Sequence, residues 1–325
     1  RELQLKLADH IASSASIDKA FAAGFSTAAK AVAVAVLTEH TRLGRFQSGA
    51  ILAFLPSPTD IEQAKAVLEE LLVGKAHTVQ LLTMHEDDAE ALEIKPFHKK
   101  RTIILATGVA ESSVTIPDLS VVIDSGEEDV VQYNAALRVE VPSRQMISRA
   151  SAMQRRGRCG RTRSGTCIRL YSKAQFEMMN PHVVPGVLAR DLTQTMATML
   201  AAGIDPAAFR WMSMPPPAHL AHALDALAGW GACTFGRDAG KLSVVATAKG
   251  QLLGMLGLRM PADAAMVAAA GMEAAGAGGR PAHAVLEAAA VVACHPPRCL
   301  AELAKLHDDD NDVVMLVRYL RAARE

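Results

Sequence analysis

The chain has 325 residues and a formal net charge of zero, because 34 basic residues balance 34 acidic ones. Half of the residues are hydrophobic, enough for two or three domains with sizeable cores, but only 4% are aromatic. Because so few residues are aromatic, a base-stacking surface built from many aromatic rings is excluded. Because the net charge is zero, a uniformly basic protein is excluded as well. Any site for a polyanion must therefore be a local patch of basic residues.

The first half of the chain alternates predicted helices with predicted strands. Residues 1–49 have an Ala-rich helical composition, and the short apolar segments after them predict strands at 50–55, 77–82, 101–107 and 119–124. Thr59 and Glu62 form a capping-box pattern that predicts a helix start. Residues 131–141 predict a hairpin and residues 165–172 a last strand. This alternation indicates βαβ units and a mostly parallel sheet.

The second half has a different character. After about Asn180 prolines punctuate helical stretches, a short β-wing is predicted within "GACTFGRDAGKLSVVATAKG", and Ala-rich helix begins at about 258. We therefore expect an α/β domain, a parallel sheet with flanking helices, followed by two mostly helical modules. The predicted domains span residues 1–180, 181–257 and 258–325.

Cysteines and apolar runs bear on the cellular environment. Five cysteines are an odd number without framework spacing, which favours reduced thiols and an intracellular protein. No apolar run reaches the length of a membrane span. The first residue is Arg1 rather than methionine, so we expect a piece of a longer protein. The spacing of "CHPPRC" offers too few ligands for a metal site.

The segment "MQRRGRCGRTRSG", residues 153–165, concentrates arginines and glycines. On a predicted helix over 150–161, Gln154, Arg158 and Arg161 fall within about 60° of one another, with Gly157 beside them. Guanidiniums bind phosphate oxygens bidentately, and this face suits a polyphosphate whose charge rises in a transition state. The alternative is a solvated basic face, or arginines paired with nearby acids. The glycines argue against a merely solvated face.

Polar residues crowd the loop between the third and fourth predicted strands. The loop residues Thr107, Glu111, Ser112, Ser113 and Thr115 follow the carboxyl end of a parallel strand, where ligands bind in open α/β sheets. Their hydroxyls and the loop amides suit phosphate or ribose contacts. The alternative is an ordinary Ser/Thr-rich connector.

Three segments together resemble a known family. "ATGVAESSVTI" resembles motif V of the DEAH-box group of superfamily 2 helicases, "QRRGRCGRT" resembles its motif VI, and "GAILAFLPSPTDI" its motif IV. The resemblance runs from about residue 28 to 205 and implies the second RecA-like domain of such a helicase. The later region is more faintly similar to the winged-helix and ratchet domains of the family.

The resemblance implies roles for individual residues. Gln154, Arg158 and Arg161 would face the β- and γ-phosphates of ATP bound between two RecA-like domains, with Arg161 as the arginine finger. The other implied contacts are Gly157, Ser113 and Asp118 with the nucleotide, and Thr107, Thr115, Ser57 and Arg144 with single-stranded RNA through its backbone. The hairpin near 131–141 would separate or grip strands.

Other helicase elements are missing from the sequence. No segment has two glycines separated by four residues and followed by Lys and Ser/Thr, and no Asp-Glu-Ala-His tetrad occurs. The resemblance assigns both elements, with the Mg²⁺ ligands, to a first RecA-like domain upstream. We therefore expect no ATP hydrolysis by this chain alone, and RNA-dependent ATPase activity in the complete protein.

Two further function classes stay open. Departures from the family pattern at Ile94, Gly108 and Pro117 suggest a degenerate, non-catalytic RNA-binding scaffold in a large ribonucleoprotein. A DNA substrate in place of RNA is a third possibility, because contacts to a nucleic-acid backbone read no base sequence. The leading hypothesis remains an ATP-dependent RNA helicase that translocates on RNA or remodels ribonucleoproteins, with a ribonucleoprotein or activator protein as partner and no membrane association.

Overall fold

The computed structural model describes residues 24–43, 49–72, 79–85, 100–112, 116–160, 164–238, 241–257 and 262–274. The chain divides into two compact units. The first comprises Arg1–Val131 with Pro142–Val184, and the second comprises Gln132–Val141 with Pro185–Glu325. The three predicted domains are not tested by this division and stay predictions.

The helices and strands follow in chain order. Up to residue 184 they are α1 (Thr27–Arg42), β1 (Ala50–Phe54), α2 (Pro58–Leu71), β2 (Val79–Met84), β3 (Arg101–Ala106), a 3-10 helix (Gly108–Glu111), β4 (Leu119–Asp124), β5 (Glu127–Asn134), β6 (Val139–Met146), α3 (Arg149–Arg156), β7 (Thr166–Arg169) and α4 (Lys173–Met178). The remaining elements are α5 (Gly186–Ala189), α6 (Thr193–Ala201), α7 (Pro217–Gly229), β8 (Cys233–Asp238), β9 (Lys241–Ala246), α8 (Ala248–Leu256) and α9 (Ala262–Ala274).

The first unit is built on a five-stranded parallel sheet with the order β2-β3-β1-β4-β7. β1, β3 and β4 are buried along their whole length, as near-continuous apolar runs are in the centre of a parallel sheet. Alternate side chains enter two cores. On one face Ile51, Ile103 and Val121 join a cluster with α1 and α2 residues, and on the other Leu52, Ile104 and Val122 join a second cluster.

Helix α2 begins two residues before the position that the sequence pattern predicted. Ser57 is the N-cap, and its hydroxyl oxygen accepts a hydrogen bond from the Asp60 backbone N–H at 3.2 Å. Pro58 occupies the first turn, where its missing N–H costs no helical hydrogen bond. The predicted capping box at Thr59 and Glu62 is therefore wrong, because the chain is already helical at Pro58.

The hairpin formed by β5 and β6 is longer than the predicted 131–141. At its tip the Asn134 side-chain oxygen accepts hydrogen bonds from the backbone N–H groups of Ala136 and Leu137 at 3.0 and 3.1 Å. Arg138 adopts a left-handed conformation with φ 56°. Asparagine is favoured in such turns because its short side chain bonds the following amides. Residues 132–141 belong to the second unit.

The second unit combines helices with one antiparallel hairpin. β8 pairs with β9 in the register Cys233↔Ala246, which confirms the predicted β-wing. Its core is formed by buried side chains of α6, α7 and α8, among them Met196, Leu227 and Leu253. In the predicted third domain the structure describes only α9, and residues 275–325 lie outside the described part. No helix of the described residues is long and apolar enough to cross a membrane.

Candidate functional site

Helix α3 ends sooner than the sequence predicted. Its N-cap is Ser148 and its last helical residue is Arg156. Gly157 caps it, and a turn continues to Gly160, which has φ +88°. Glycine favours this stop because it is a poor helix former and adopts positive φ without strain. The predicted helix over 150–161 is therefore wrong beyond Arg156, so Gln154 lies in the helix and Arg158 in the turn that follows it. Arg161 itself lies outside the described residues.

Arg155, which sequence reasoning left without a role, is completely buried. Its Nε donates a hydrogen bond to Glu111 Oε1 at 2.8 Å and its Nη1 donates to Asp124 Oδ1 at 2.9 Å. The guanidinium carbon lies 4.8 Å from the centroid of the Phe54 ring. Burial alone would lower the pKa of Arg155, but the carboxylates of Asp124 and Glu111 outweigh burial and raise it. Arg155 is thus an arginine paired with nearby acids, which is the alternative given above to a phosphate-binding role for this arginine-rich segment.

Asp124 joins several elements at the carboxyl end of β4. Besides Arg155, its Oδ1 accepts from the Gly126 backbone N–H at 3.0 Å, and its Oδ2 accepts from the Tyr171 hydroxyl at 2.8 Å. Gly126 has φ +80°, and a Cβ there would lie 2.3 Å from the Tyr171 ring, so only glycine lets the phenol approach. Burial, followed by the charge and hydrogen bond of Asp124, raises the pKa of Tyr171.

Arg158 points toward the same region from the turn after α3. The side chain is buried, and its Nη2 donates a hydrogen bond to the backbone carbonyl oxygen of Glu111. Glu111 therefore contacts two arginines, Arg155 through its carboxylate and Arg158 through its carbonyl. Glu111 ends the 3-10 helix after β3, so these contacts join that loop to the end of α3.

An exposed surface remains beside the end of α3. Gln154 and Gly157 are exposed, in contrast to Arg155 and Arg158. An open depression of ≈ 460 Å³ is lined by Met153, Arg156, Gly157, Cys159, Gly165 and Cys167. Burial, and after it the charge of Asp124, raises the pKa of the Cys167 thiol to about 11.

The predicted loop residues lie at two opposite edges of the sheet. Thr107 is buried at the carboxyl end of β3, where its N–H donates to the Met84 carbonyl oxygen at 3.1 Å. Asp118 precedes the amino end of β4, has φ 55°, and its backbone carbonyl oxygen accepts a hydrogen bond from the Ala50 N–H at 2.8 Å. A strand of this length separates Asp118 from Asp124 by about 20 Å. The structure thus does not bring Asp118 together with Thr107. Ser113 and Thr115 lie outside the described residues.

Ser57 and Arg144 meet at a buried carboxylate, Asp60. Arg144 Nη2 donates to Asp60 Oδ2 at 2.6 Å, and Arg144 Nε donates to Asp129 Oδ1 at 2.7 Å. The hydrogen bond with Asp129 is the strongest influence that raises the pKa of Arg144. The hydroxyls of Ser57 and Ser26, the N-caps of α2 and α1, also donate to Asp60. Both predicted RNA contacts are therefore engaged within the protein.

Three acidic residues organise these contacts: Asp60, Glu111 and Asp124. The sequence pattern placed Glu111 in the polar loop after β3 but gave it no role of its own, and it singled out neither Asp60 nor Asp124. A partial signal existed for two of them. Asp60 stands in the first turn of a capped helix, and Asp124 ends a buried strand at the sheet edge where ligands bind. The loop position of Glu111 was predicted, but its arginine partners were not, because they lie far along the chain.

Comparison with known proteins finds similarity over part of the chain. The profile described as "Helicase conserved C-terminal domain" matches residues 34–163. The chain is 35% identical over 187 residues to ATP-dependent RNA helicase DEAH11, chloroplastic, of Arabidopsis thaliana, covering 57% of this chain and 10% of that protein. It is 32% identical over 208 residues to ATP-dependent RNA helicase HrpA of Escherichia coli, covering 63% and 16%. Probable ATP-dependent RNA helicase DHX35 of Homo sapiens is 34% identical over 189 residues, covering 55% and 27%.

The chain thus spans 10% to 27% of the length of these curated relatives. Among solved structures, a crystal structure of the Escherichia coli DEAH/RHA helicase HrpB superimposes with a TM-score of 0.68 at 25% identity, covering 92% of this chain and 36% of that one. A second HrpB structure, described as a DExH-box NTPase, gives a TM-score of 0.66 at 25% identity, covering 92% and 35%. The parallel sheet of the first unit is therefore RecA-like, as predicted.

Proposed function

From the match of residues 34–163 to the profile of the helicase conserved C-terminal domain, we propose that the chain is the C-terminal part of an ATP-dependent RNA helicase of DEAH type. The observation that carries the proposal is the position of the family match. It contains the loop after β3 and the turn after α3 in the order of motifs V and VI. The named relatives, which are DEAH-box ATP-dependent RNA helicases, support the same function.

ATP would bind beside the end of α3. Gln154 and Gly157 are exposed there, and a polyphosphate could approach the glycine backbone without meeting a side chain. Arg158 and Arg161 would supply guanidiniums to the β- and γ-phosphates, with Arg161 as the arginine finger. Bound ATP supplies the phosphoanhydride that is hydrolysed. Its Mg²⁺ ligands and phosphate-binding loop would come from an upstream RecA-like domain. Ser113 and Asp118 remain proposed nucleotide contacts.

Single-stranded RNA would bind through its backbone at the loop after β3, at Thr107 and Thr115. Ser57 and Arg144 remain proposed contacts on the same side, and the Arg144 side chain keeps 37% of its surface exposed beyond its two ion pairs. ATP hydrolysis would move the RecA-like domains and shift the bound strand, producing translocation or ribonucleoprotein remodelling. The second unit would supply the winged-helix and ratchet parts, and an activator or ribonucleoprotein protein would be the partner.

The test is Arg161→Ala in the complete protein. We expect RNA-stimulated ATP turnover to fall by about 10³-fold or more, because an arginine finger stabilises charge only in the transition state. The matched control is Arg210→Ala, which removes an exposed arginine of the second unit and should leave turnover unchanged.

Each outcome separates two function classes. Unchanged turnover in Arg161→Ala contradicts the assignment of motif VI. A wild-type protein that binds single-stranded RNA but shows no RNA-stimulated ATPase favours the non-catalytic scaffold suggested by Gly108 and Pro117. Equal stimulation by single-stranded DNA would remove RNA specificity from the proposal.

A further inference from the structure

We propose that the Nε–Nη2 edge of the Arg144 guanidinium binds a backbone phosphate of single-stranded RNA, and that the Asp129 carboxylate occupies this edge in the free protein. The inference rests on the proposed function, because it concerns regulation of the same RNA contact. RNA binding exchanges one ion pair of Arg144 for another. Asp129 is therefore an internal competitor of RNA.

Two carboxylates contact the Arg144 guanidinium at different edges. Nη1 and Nη2 donate to Asp60 Oδ1 and Oδ2 at 3.3 and 2.6 Å. Nε and Nη2 donate to Asp129 Oδ1 and Oδ2 at 2.7 and 3.0 Å. Both ion pairs are bidentate, and guanidiniums bind two phosphate oxygens in the same way. The edge that contacts Asp129 thus has the shape that a phosphate requires.

The two carboxylates differ in burial. The Asp60 side chain is 3% exposed and that of Asp129 is 34% exposed. Breaking the buried pair leaves an uncompensated charge inside the protein, which is costly, whereas an ion pair in contact with water contributes little to stability. A ligand from solvent therefore displaces Asp129 and leaves Asp60 in place.

Asp129 can release the guanidinium without disturbing its own strand. Within the described part of the chain, Arg144 donates all the hydrogen bonds that the Asp129 carboxylate accepts. The Asp129 backbone N–H donates to the Pro56 carbonyl oxygen at 3.2 Å, which keeps β5 in position when the side chain rotates away. Asp60 meanwhile holds Nη1 and Nη2. The Nε–Nη2 edge then stays oriented for a phosphate, because the guanidinium is a rigid planar fork.

Glu127 offers a matched control for the charge of Asp129. Residues two apart on a strand lie on one face and about 7 Å from each other, so Glu127 is a close neighbour of Asp129 on β5. No ion pair of Glu127 occurs among the described residues, whereas Asp129 pairs with Arg144. Glu127→Gln and Asp129→Asn therefore remove the same charge from the same face, and only Asp129→Asn frees the arginine.

The experiment measures the Kd of fluorescently labelled polyuridine by anisotropy, with the complete protein and without nucleotide. We expect Asp129→Asn to bind about threefold more tightly than wild type, which is the size of effect typical of an exposed ion pair. Glu127→Gln should change the Kd by less than about 1.5-fold, because physiological salt screens a charge that is not in contact. An equal gain in both variants would show general repulsion and would overturn the proposal.

A variant of Arg144 tests whether the gain depends on the guanidinium. In an Arg144→Gln background, Asp129→Asn should bind polyuridine no more tightly than Glu127→Gln does. A threefold gain that persists there contradicts the proposed site. Arg144→Gln also removes the cation beside buried Asp60, so chemical denaturation checks that it folds. If it does not fold, the comparison of Asp129→Asn with Glu127→Gln still decides.

A second readout does not depend on RNA. Inorganic phosphate is added at constant ionic strength, and the midpoint of thermal unfolding is measured. A ligand that binds the folded state raises this midpoint. Other phosphate sites contribute equally to all variants, so we expect a larger rise in Asp129→Asn than in wild type and Glu127→Gln. Equal rises in the three proteins would contradict a phosphate site at Arg144.

The two readouts keep the proposals apart. If no variant binds polyuridine, the proposed RNA function fails, and the phosphate experiment still decides whether Asp129 covers an anion site. If Arg161→Ala supports the helicase and Asp129→Asn behaves as wild type with both polyuridine and phosphate, only the role of Asp129 fails.

Discussion

At the residue scale, the arginines of motif VI have separate environments although they are close in sequence. Arg155 is buried among Glu111, Asp124 and the Phe54 ring, whereas Arg156 is exposed. Arg158 turns inward to the Glu111 carbonyl. A guanidinium never loses its charge, so its burial requires acceptors within the protein, and Arg155 has two carboxylates. The same run of basic residues therefore contributes a buried ion-paired side chain, Arg155, a buried side chain bonded to a carbonyl, Arg158, and an exposed one, Arg156.

The thiol of Cys167 provides a test of this environment. Because burial and Asp124 raise its pKa to about 11, the thiolate that reacts with electrophiles is scarce at neutral pH. We expect Cys167 to react with iodoacetamide more than about a hundredfold slower than free cysteine, whose pKa is about 8.5. The alkylation rate of Cys167 should rise about tenfold per pH unit until the pH approaches the raised pKa of about 11.

Peptide mass spectrometry of the alkylated protein measures the Cys167 rate separately from that of the other cysteines. Free cysteine in the same tube is the control for the reagent. A rate that levels off near pH 8.5 would show an unperturbed thiol and would contradict the burial of Cys167 beside Asp124.

At the scale of elements, helix caps connect the sheet to its surroundings. Ser57 caps α2, Ser26 caps α1, and both hydroxyls donate to Asp60, which also pairs with Arg144 at the base of the β5–β6 hairpin. One buried carboxylate thus holds two helix starts and one hairpin strand. The Thr59 and Glu62 pattern placed the start of α2 two residues late, because Ser57 and Pro58 form an equally local start signal that the structure uses.

Ser57→Ala tests the cap. It removes the acceptor for the Asp60 N–H and one donor to the Asp60 carboxylate, so we expect the free energy of unfolding to fall by about 1–2 kcal/mol. Chemical denaturation of wild type and variant measures the change. Ser164→Ala, at an exposed serine outside any helix or strand, is the control and should change stability by less than about 0.5 kcal/mol. Equal stability of Ser57→Ala and wild type would argue against the cap.

At the scale of the whole molecule, the proposed nucleotide site needs more groups than this chain supplies. The sequence contains neither a phosphate-binding loop nor an Asp-Glu-Ala-His tetrad, and it covers 10% to 27% of its named relatives. Arginines can stabilise charge on a transferring phosphoryl group but cannot hold Mg²⁺ or orient the attacking water. The catalytic step therefore needs groups from outside these residues.

The purified 325-residue chain should accordingly hydrolyse no ATP above the buffer rate, with or without polyuridine. A phosphate-release assay measures this, and the complete protein in the same assay is the positive control. RNA-stimulated turnover by the chain alone would show that its own residues complete the site.

The sequence by itself determined the features that depend on neighbouring residues. Apolar runs such as 119–124 matched their strands because periodicity and burial are local properties. The three motif segments indicated the helicase family because they preserve residue identity and order. The strand–loop–strand pattern also predicted that Thr107 follows the carboxyl end of a parallel strand, which the structure confirms.

Only the tertiary structure decided which polar residues meet. Arg155 pairs with Glu111, 44 positions away, and with Asp124, 31 positions away. Helical spacing over 150–161 could not show that α3 stops at Arg156, or that Arg158 turns to the Glu111 carbonyl. Asp118 stands close in sequence to the other loop residues and yet lies at the opposite edge of the sheet. The physical reason is common to all of these: a charged side chain takes its position from distant partners and burial, and neither is present in a local pattern.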